Sequence, residues 1–216
     1  MNNIIGIIIS FAYIATLMIA SKYFEKFDKE ASRKFIHILL ANWWLIAIAF
    51  FDNFVWTIIA PIVFVIINFI SCKTNLIKVM ERDEENKTGY GTVFYAFSLI
   101  PLVIMSYLLT DNKLIGLVGI FIMAYGDGFA AIAGRALKTK EYTIFGDKKT
   151  IGGSAVMFMM SFIITLAVFA YSSTELFLLK SIIISIIATI LEAISAKGTD
   201  NLTVPIITSL ITYFVI

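Results

Sequence analysis

The chain has 216 residues, of which 60% are hydrophobic and 15% are charged, and its mean hydropathy is +0.92. Soluble proteins average about 45–50% apolar and about 25% charged residues, so this composition excludes an ordinary soluble domain and indicates a chain that crosses a membrane several times. The single cysteine excludes a disulfide framework or a Cys-rich metal site, and a formal net charge of +2 gives no reason to expect a nucleic-acid partner.

Long apolar runs occur along the whole chain, and they are continuous rather than alternating. This pattern predicts an all-α, polytopic bundle of transmembrane helices and not a β-barrel. We count eight runs, or seven spans if the last run lies in the membrane interface. No linker or internal repeat divides residues 1–216, so we predict a single domain. The second span could begin near Phe35, and the seventh could extend through Glu192. The predicted spans are residues 4–20, 38–51, 54–71, 92–109, 114–133, 152–171, 176–191 and 202–216.

Basic residues give the expected orientation. All 17 Lys and Arg residues except Lys113 and Lys180 lie in the loops that follow the first, third, fifth and seventh runs. The positive-inside rule places these loops in the cytoplasm and the N terminus outside. No basic residue precedes the first apolar run, so it is not a secretory signal. We predict a multi-pass protein of the cell (inner) membrane.

Polar residues next to the apolar runs mark the expected functional site, because charges are costly in a bilayer. Arg33, Lys34 and His37 open the second run, and the i,i+4 spacing puts Arg33 and His37 on one helix face. They could contact phosphates, although a basic flank of a span explains them too. Residues 81–85 carry four carboxylates that could gather a divalent cation, but a solvated loop is the simpler explanation.

Asp127 lies inside an otherwise apolar run. An ionised carboxylate there costs about 2.5–3.5 kcal/mol unless it has a partner or a wet cavity, so we favour a functional role over a purely structural ion pair. Gly126, Ala130 and Gly134 recur every four residues, just before Arg135. Such a small-residue stripe lets another helix approach closely, either within the bundle or in a homodimer.

Lys148, Lys149 and Thr150 stand ahead of the sixth run, followed by Gly153 and Ser154. Backbone N–H groups at a helix N terminus favour an anion, and the lysines add positive charge. The order of residues is not that of a Walker A loop.

A last polar group surrounds the end of the seventh run and the start of the eighth. Glu192 ends the seventh run, and Asp200 and Asn201 precede the eighth, where Asp200 could also be a helix N-cap. With Asp127, these carboxylates could hold Mg²⁺, which prefers oxygen ligands, while the lysines and arginines could bind phosphates. The sequence therefore predicts a site for phosphoryl or nucleotidyl transfer on the cytoplasmic face.

In this order and spacing, the motifs resemble those of the phytol kinase/dolichol kinase family of CTP-dependent polyprenol kinases, which is distantly similar to phosphatidate cytidylyltransferase. The resemblance covers most of the chain from Arg33 to Pro205. The histidine-glycine-glycine signature of the cytidylyltransferases is absent. The resemblance rests on Arg33-Lys34-x-x-His37, Gly126-Asp127 continuing to Gly134-Arg135, Gly146-Asp147-Lys148-Lys149-Thr150 with Gly153-Ser154, and Glu192 followed by residues 200–205.

The resemblance implies transfer of the γ-phosphoryl of CTP, or of another nucleoside triphosphate, to the hydroxyl of an isoprenoid alcohol such as phytol, farnesol or a polyprenol. Two alternatives are a CDP-lipid synthase like phosphatidate cytidylyltransferase and a small transporter or channel, which we rank last because the outer face has few charges. The expected roles are Mg²⁺ ligation by Asp127 and Asp200, ligation or base catalysis by Glu192, charge neutralisation by Lys148, Lys149 and Arg135, nucleotide or phosphate binding by Arg33, Lys34, His37, Thr150, Gly153 and Ser154, and ligand orientation by Asn201.

Overall fold

The structure, a computed structural model, describes residues 2–25, 29–74, 90–145 and 147–216. Within these ranges it is almost entirely helical, with one short β-hairpin between the fifth and sixth spans. The α-helices are α1 (Asn3–Glu25), α2 (Lys29–Leu40), α3 (Trp43–Phe50), α4 (Phe54–Thr74), α5 (Gly91–Val103), α6 (Leu114–Phe121), α7 (Gly128–Leu137), α8 (Ile151–Tyr171), α9 (Phe177–Ile194) and α10 (Asp200–Val215).

Seven helical stretches in the described ranges are long and apolar enough to cross a bilayer, which confirms the predicted all-α polytopic bundle. The eighth apolar helix, α10, has 16 residues. At 1.5 Å per residue it is about 24 Å long, shorter than the hydrocarbon core of about 30 Å. It nevertheless packs against α5, α6 and α9, with Val204, Pro205 and Thr208 buried. By length the described ranges thus contain seven candidate spans, the alternative count, with α10 packed in the same bundle.

The second span begins earlier than its apolar pattern predicts. It covers Ser32–Phe50 and consists of α2 and α3, which are joined by a turn at Ala41 and Asn42. Hydropathy misses its start because Lys34 and His37 interrupt the apolar run, although both are largely buried. The seventh span does include Glu192, as its possible extension predicts.

Two spans contain a π-helical segment, one at its end and one in its middle. A π-helical segment, Ile104–Leu109, follows α5, and a second, Ile122–Asp127, separates α6 from α7. π-Helical turns are rare and are found frequently at functional sites. The second segment ends at Asp127, the intramembrane carboxylate.

The small-residue stripe packs inside the chain. A Cβ atom added to Gly126 would lie 2.5 Å from the Met157 sulfur, and one added to Gly134 would lie 2.7 Å from the Thr150 hydroxyl. Both contacts belong to the region where α7 packs against β2 and α8. The stripe therefore allows close helix packing within one chain, and it gives no argument for the homodimer.

The segment before the sixth span contains a β-hairpin, where the sequence analysis predicts only a loop. Strand β1 (Glu141–Ile144) pairs antiparallel with β2 (Asp147–Thr150), and Tyr142 lies opposite Lys149. Tyr142, Thr143 and Ile144 in β1 are aromatic or β-branched residues, which favour a strand and were the available sequence signal for it. Because β2 leads directly into α8, the hairpin fixes Lys149 against the end of the bundle.

Candidate active site

One cavity of about 770 Å³ opens at the end of the bundle where α2 begins and α9 ends. Its walls come from α1–α5, α7, the hairpin and α8–α10, so residues far apart in sequence meet there. Their roles remain predictions. Every residue predicted for the site lines this cavity: Arg33, Lys34, His37, Asp127, Arg135, Lys148, Lys149, Thr150, Gly153, Ser154, Glu192, Asp200 and Asn201.

Asp127 forms an ion pair with Lys34 of α2, and His37 of the same helix lies beside it. The Lys34 ammonium lies 2.7 Å from its Oδ2 atom, and the His37 Nε2 atom lies 3.3 Å from the same oxygen. The Asp127 residue is only 9% exposed. A buried carboxylate needs a partner of this kind to remain ionised. The ion pair explains how Asp127 is tolerated in an apolar span, and it also joins Lys34 of α2 to the cavity wall.

A second ionic cluster in the site is centred on Lys149. Its ammonium pairs with Oε1 of Glu192 and lies 3.7 Å from Oδ2 of Asp200. Burial alone would lower the pKa of Lys149, but the two carboxylates raise it above its ordinary value of 10.5. Lys149 is therefore a fixed cation at neutral pH, and it connects the hairpin to α9 and α10.

Two buried oxygens on the cavity wall have no hydrogen-bond partner among the described residues, namely Glu192 Oε2 and Asn201 Oδ1. The other end of the Asn201 amide is used, since Nδ2 donates to the carbonyl of Gly91 at 2.9 Å. An unsatisfied buried acceptor costs about 1–3 kcal/mol. Both atoms are therefore suited to receive a proton donor or a cation from a ligand in the cavity.

The donor set fits magnesium held jointly with phosphates. Within the described ranges, no three His, Cys, Asp or Glu side chains converge into a metal site of their own. Mg²⁺ usually keeps several waters and binds through one or two carboxylates plus substrate phosphates. Asp127 and Asp200 on the cavity wall match that mode. The carboxylate cluster at residues 81–85 lies outside the described residues.

The N terminus of α8 is less open to an anion than the sequence predicts. The amide of Gly152 donates to the Thr139 hydroxyl at 2.8 Å, and that of Gly153 donates to the Thr150 hydroxyl at 3.0 Å. Ser154 is hydrogen-bonded to the Tyr142 hydroxyl. These groups hold the hairpin on the helix, so positive charge for an anion comes mainly from the basic side chains.

The N-cap gives a prediction on stability. Thr150→Ala should destabilise the protein by about 1 kcal/mol, because the amide of Gly153 loses its acceptor, and should lower Tm by about 2–4 °C. Thr150→Ser keeps the hydroxyl and is the matched control. Thermal unfolding in detergent measures both variants. Equal losses of Tm in the two would show that the cap does not contribute.

A close backbone contact supports the α9–α10 loop over the cavity. Gly198 has φ of +81°, and a Cβ atom there would lie 2.9 Å from the Cα of Gly91. The next residues toward α10 include Asn201, which bonds back to Gly91. On the other side, Asp147 accepts a hydrogen bond from the Lys197 amide at 2.8 Å. Glycine is the residue type best suited to positive φ, so Gly198 was the available sequence signal for a tight turn here.

The end of the cavity away from the ionic groups is apolar, and the sequence analysis does not predict which residues line it. Ile14, Trp43, Phe64 and Leu99 line it, from α1, α3, α4 and α5. A tryptophan deep in an apolar run is unusual because tryptophan favours membrane interfaces, and that was the available signal for Trp43. One continuous cavity thus has an ionic wall and an apolar wall.

Three known proteins are similar to the chain over most of its length. It is 30% identical over 191 residues to a phytol kinase of Synechocystis sp., covering 85% of this chain and 78% of that protein. It is 28% identical over 206 residues to phytol kinase 1, chloroplastic, of Arabidopsis thaliana (86% and 66% covered). It is 25% identical over 209 residues to a probable phytol kinase, chloroplastic, of Triticum aestivum (86% and 67% covered).

No family model matches the chain, and no solved structure shows significant similarity to it. The similarity to phosphatidate cytidylyltransferase finds no support among these relatives. The identity to the cyanobacterial protein and its coverage of both chains are sufficient to assign the family. The chain belongs to the phytol kinase family.

Proposed function

We propose that the chain transfers the γ-phosphoryl group of CTP, or of another nucleoside triphosphate, to the hydroxyl of an isoprenoid alcohol such as phytol, farnesol or a polyprenol. Membership of the phytol kinase family makes it a phosphotransferase that acts on an alcohol. The observation that carries the finer proposal is that one cavity of about 770 Å³ has both an ionic and an apolar wall.

Such a cavity suits two substrates of opposite character. A nucleoside triphosphate is water-soluble and anionic, so it matches Lys149 and the other cations on the ionic wall. An isoprenoid alcohol dissolves in the bilayer, and its tail matches the side chains of Trp43 and Phe64. The reaction needs the hydroxyl and the γ-phosphate within contact distance of each other. The junction between the two walls is where they would meet.

The proposal places this cavity at the cytoplasmic face of the cell membrane. The loops that follow the first, third, fifth and seventh apolar runs hold nearly all of the basic residues. Lys148 and Lys149 belong to one of these loops, and Lys197 belongs to another. The positive-inside rule supports a cytoplasmic position for them, the side on which nucleotides are found.

The residues of the ionic wall suggest how phosphoryl transfer proceeds. The acceptor oxygen attacks the γ-phosphorus and forms a new P–O bond, while the bond from that phosphorus to the oxygen of the departing nucleoside diphosphate breaks. The hydroxyl proton passes to Glu192 Oε2, a buried oxygen that no described residue hydrogen-bonds. Lys149 pairs with the other oxygen of Glu192 and so orients it. Lys149 and Arg135 offset the charge on the transferring group.

The ionic wall also has carboxylates that could hold magnesium. Asp127 and Asp200 would hold it, and when bound it supplies neutralisation of the phosphate charge. Lys34 keeps the Asp127 carboxylate ionised and fixes its position on the cavity wall. Asn201 Oδ1, which no described residue hydrogen-bonds, would accept a hydrogen bond from the nucleotide or from a water on the magnesium ion.

An assay of donor and acceptor together tests the proposal. The purified chain would be given radiolabelled CTP or ATP with phytol, farnesol, undecaprenol or diacylglycerol. We expect label in a prenyl phosphate, with release of the nucleoside diphosphate. Release of pyrophosphate from CTP in the presence of phosphatidate would indicate a CDP-lipid synthase instead. Absence of transfer to every alcohol would also contradict the proposal.

A further inference from the structure

We propose that Trp43 forms the closed end of the acceptor channel and limits the length of isoprenoid chain that the enzyme accepts. This inference rests on the proposed function, since it concerns where the tail of the alcohol lies. It starts from the unequal depth of the two sides of the cavity.

On the side of α8, α9 and α10, the cavity is lined only by residues at the ends of these helices, among them Gly153, Glu192 and Asn201. On the opposite side it runs much further along the bundle. Trp43 follows Lys34 by nine residues, which is roughly 14 Å at 1.5 Å per residue and so about half of the hydrocarbon thickness. The ionic contacts lie at one end of the cavity, and the deep branch is apolar. A lipid tail is the ligand that suits this branch.

The deep branch ends on side chains that are almost completely enclosed. Trp43 is 2% exposed, Leu99 is 4% exposed and Phe64 is 9% exposed, although all three line the cavity. The cavity stops at these residues, because no residue of α3 beyond Trp43, of α4 before Phe64 or of α5 beyond Leu99 lines it. The branch is therefore closed at this level, and the tryptophan is the largest side chain there.

Trp43 is also fixed in place. Its indole Nε1 donates to the Ser10 hydroxyl at 2.9 Å, which ties α3 to α1. Its ring packs edge-on against Phe64 at 6.4 Å between centroids and against Trp44 at 6.1 Å. A ring held by three neighbours cannot easily rotate away for a longer tail. Chain length is then limited by the rigid position of a single side chain.

The neighbouring tryptophan provides a matched control. Trp44 has the same size, is fully buried and donates its own hydrogen bond to the Lys113 carbonyl at 3.0 Å. It is not among the residues that line the cavity. Trp43→Ala and Trp44→Ala remove equal volumes from adjacent positions, but only the first lengthens the channel.

The test measures kcat/KM of each variant for farnesol, phytol, geranylfarnesol, solanesol and undecaprenol. The ratio of long to short acceptors within one variant does not depend on how much protein is folded. We expect the wild-type protein to prefer farnesol and phytol. We expect Trp43→Ala to raise the ratio of geranylfarnesol, which is one isoprene unit longer than phytol, to farnesol at least about tenfold, the discrimination that a single methylene gives in an apolar pocket. Trp44→Ala should leave the ratio unchanged.

Phe64→Ala keeps the test decisive if Trp43→Ala cannot be purified folded, because it opens the same end from α4 and should change the ratio in the same direction. An active wild-type protein whose ratio is unchanged in both variants would overturn this inference and leave the proposed function standing. A wild-type protein that prefers solanesol would overturn it as well. A wild-type protein inactive with every prenol would instead contradict the proposed function, on which the inference rests.

Discussion

Asparagine in place of Asp127 is expected to lower kcat at least about 100-fold, the loss typical of removing one preorganised electrostatic group from an active site. The carboxylate is buried, pairs with Lys34 at 2.7 Å and is a proposed magnesium ligand. The neutral amide keeps its size but supplies neither the charge nor the same ligand. Phosphoryl transfer measured at saturating magnesium and nucleotide gives kcat directly.

Two controls separate this chemical effect from misfolding. Asp127→Asn leaves the Lys34 ammonium buried without its counter-ion, which is strongly destabilising. Adding Lys34→Met removes that charge, so the double variant should recover stability but stay inactive. Asp52→Asn makes the same substitution at the opposite end of the bundle, where Asp52 accepts a hydrogen bond from Asn3, and should keep wild-type activity. Full turnover of a folded Asp127→Asn protein would contradict the role assigned to Asp127.

Methionine in place of Lys149 is expected to reduce kcat by about 100-fold or more, since Lys149 both neutralises phosphate charge and orients the proposed base. Glu192 and Asp200 would then face each other without the cation between them. Breaking a buried pair by removing one partner costs about 3–5 kcal/mol. The same assay, together with thermal unfolding, measures the effects on kcat and on stability.

The pKa of Lys149 gives this prediction a pH dependence. The two carboxylates raise it above 10.5, so the stabilisation from the ion pair is complete at neutral pH and is lost only as pH rises through the raised value. Lys149→Met should therefore remove a difference in stability between neutral and strongly alkaline buffer. Lys140→Met, which changes an exposed lysine outside the cavity, is the control. If Lys149→Met matches this control in activity, the proposed role of Lys149 is wrong.

The transmembrane architecture could be predicted because the bilayer imposes a simple rule on the sequence. Each span must be apolar over a known length, and the hydropathy pattern shows this directly. The rule fails where a span contains charged side chains that are buried against a partner. The second span was placed too late because Lys34 and His37 look like a loop until their buried partner Asp127 is known. The number of spans stayed between seven and eight because α10 has only 16 residues, which is short for a span.

The ionic half of the site was predictable from the free-energy cost of placing charged side chains in a membrane span. Asp127 and Glu192 are expensive in an apolar run, so each had to have a partner or a function. Which cation pairs with which carboxylate was not predictable, because Lys149 reaches Glu192 only through the β-hairpin and its antiparallel pairing. The short strands carry too few residues to stand out among long apolar runs.

Most of the apolar half of the cavity could not be read from the sequence. Trp43 carries a signal, as a tryptophan within an apolar run. Phe64 and Leu99 belong to runs in which nearly every residue is hydrophobic, and the pattern there does not distinguish a side chain facing lipid from one facing a cavity. Only the packing of α1, α3, α4 and α5 makes that distinction. The polar residues of a membrane enzyme are thus easier to assign than its lipid-binding ones.

The most direct test of this account is an experimentally determined structure of the chain in lipid nanodiscs with magnesium, a non-hydrolysable CTP analogue and farnesol. We predict the triphosphate beside Lys149 and Asp127, the farnesol hydroxyl at the junction next to Glu192, and the tail directed toward Trp43. Nucleotide bound away from Lys149, or a farnesol tail outside the cavity, would contradict it.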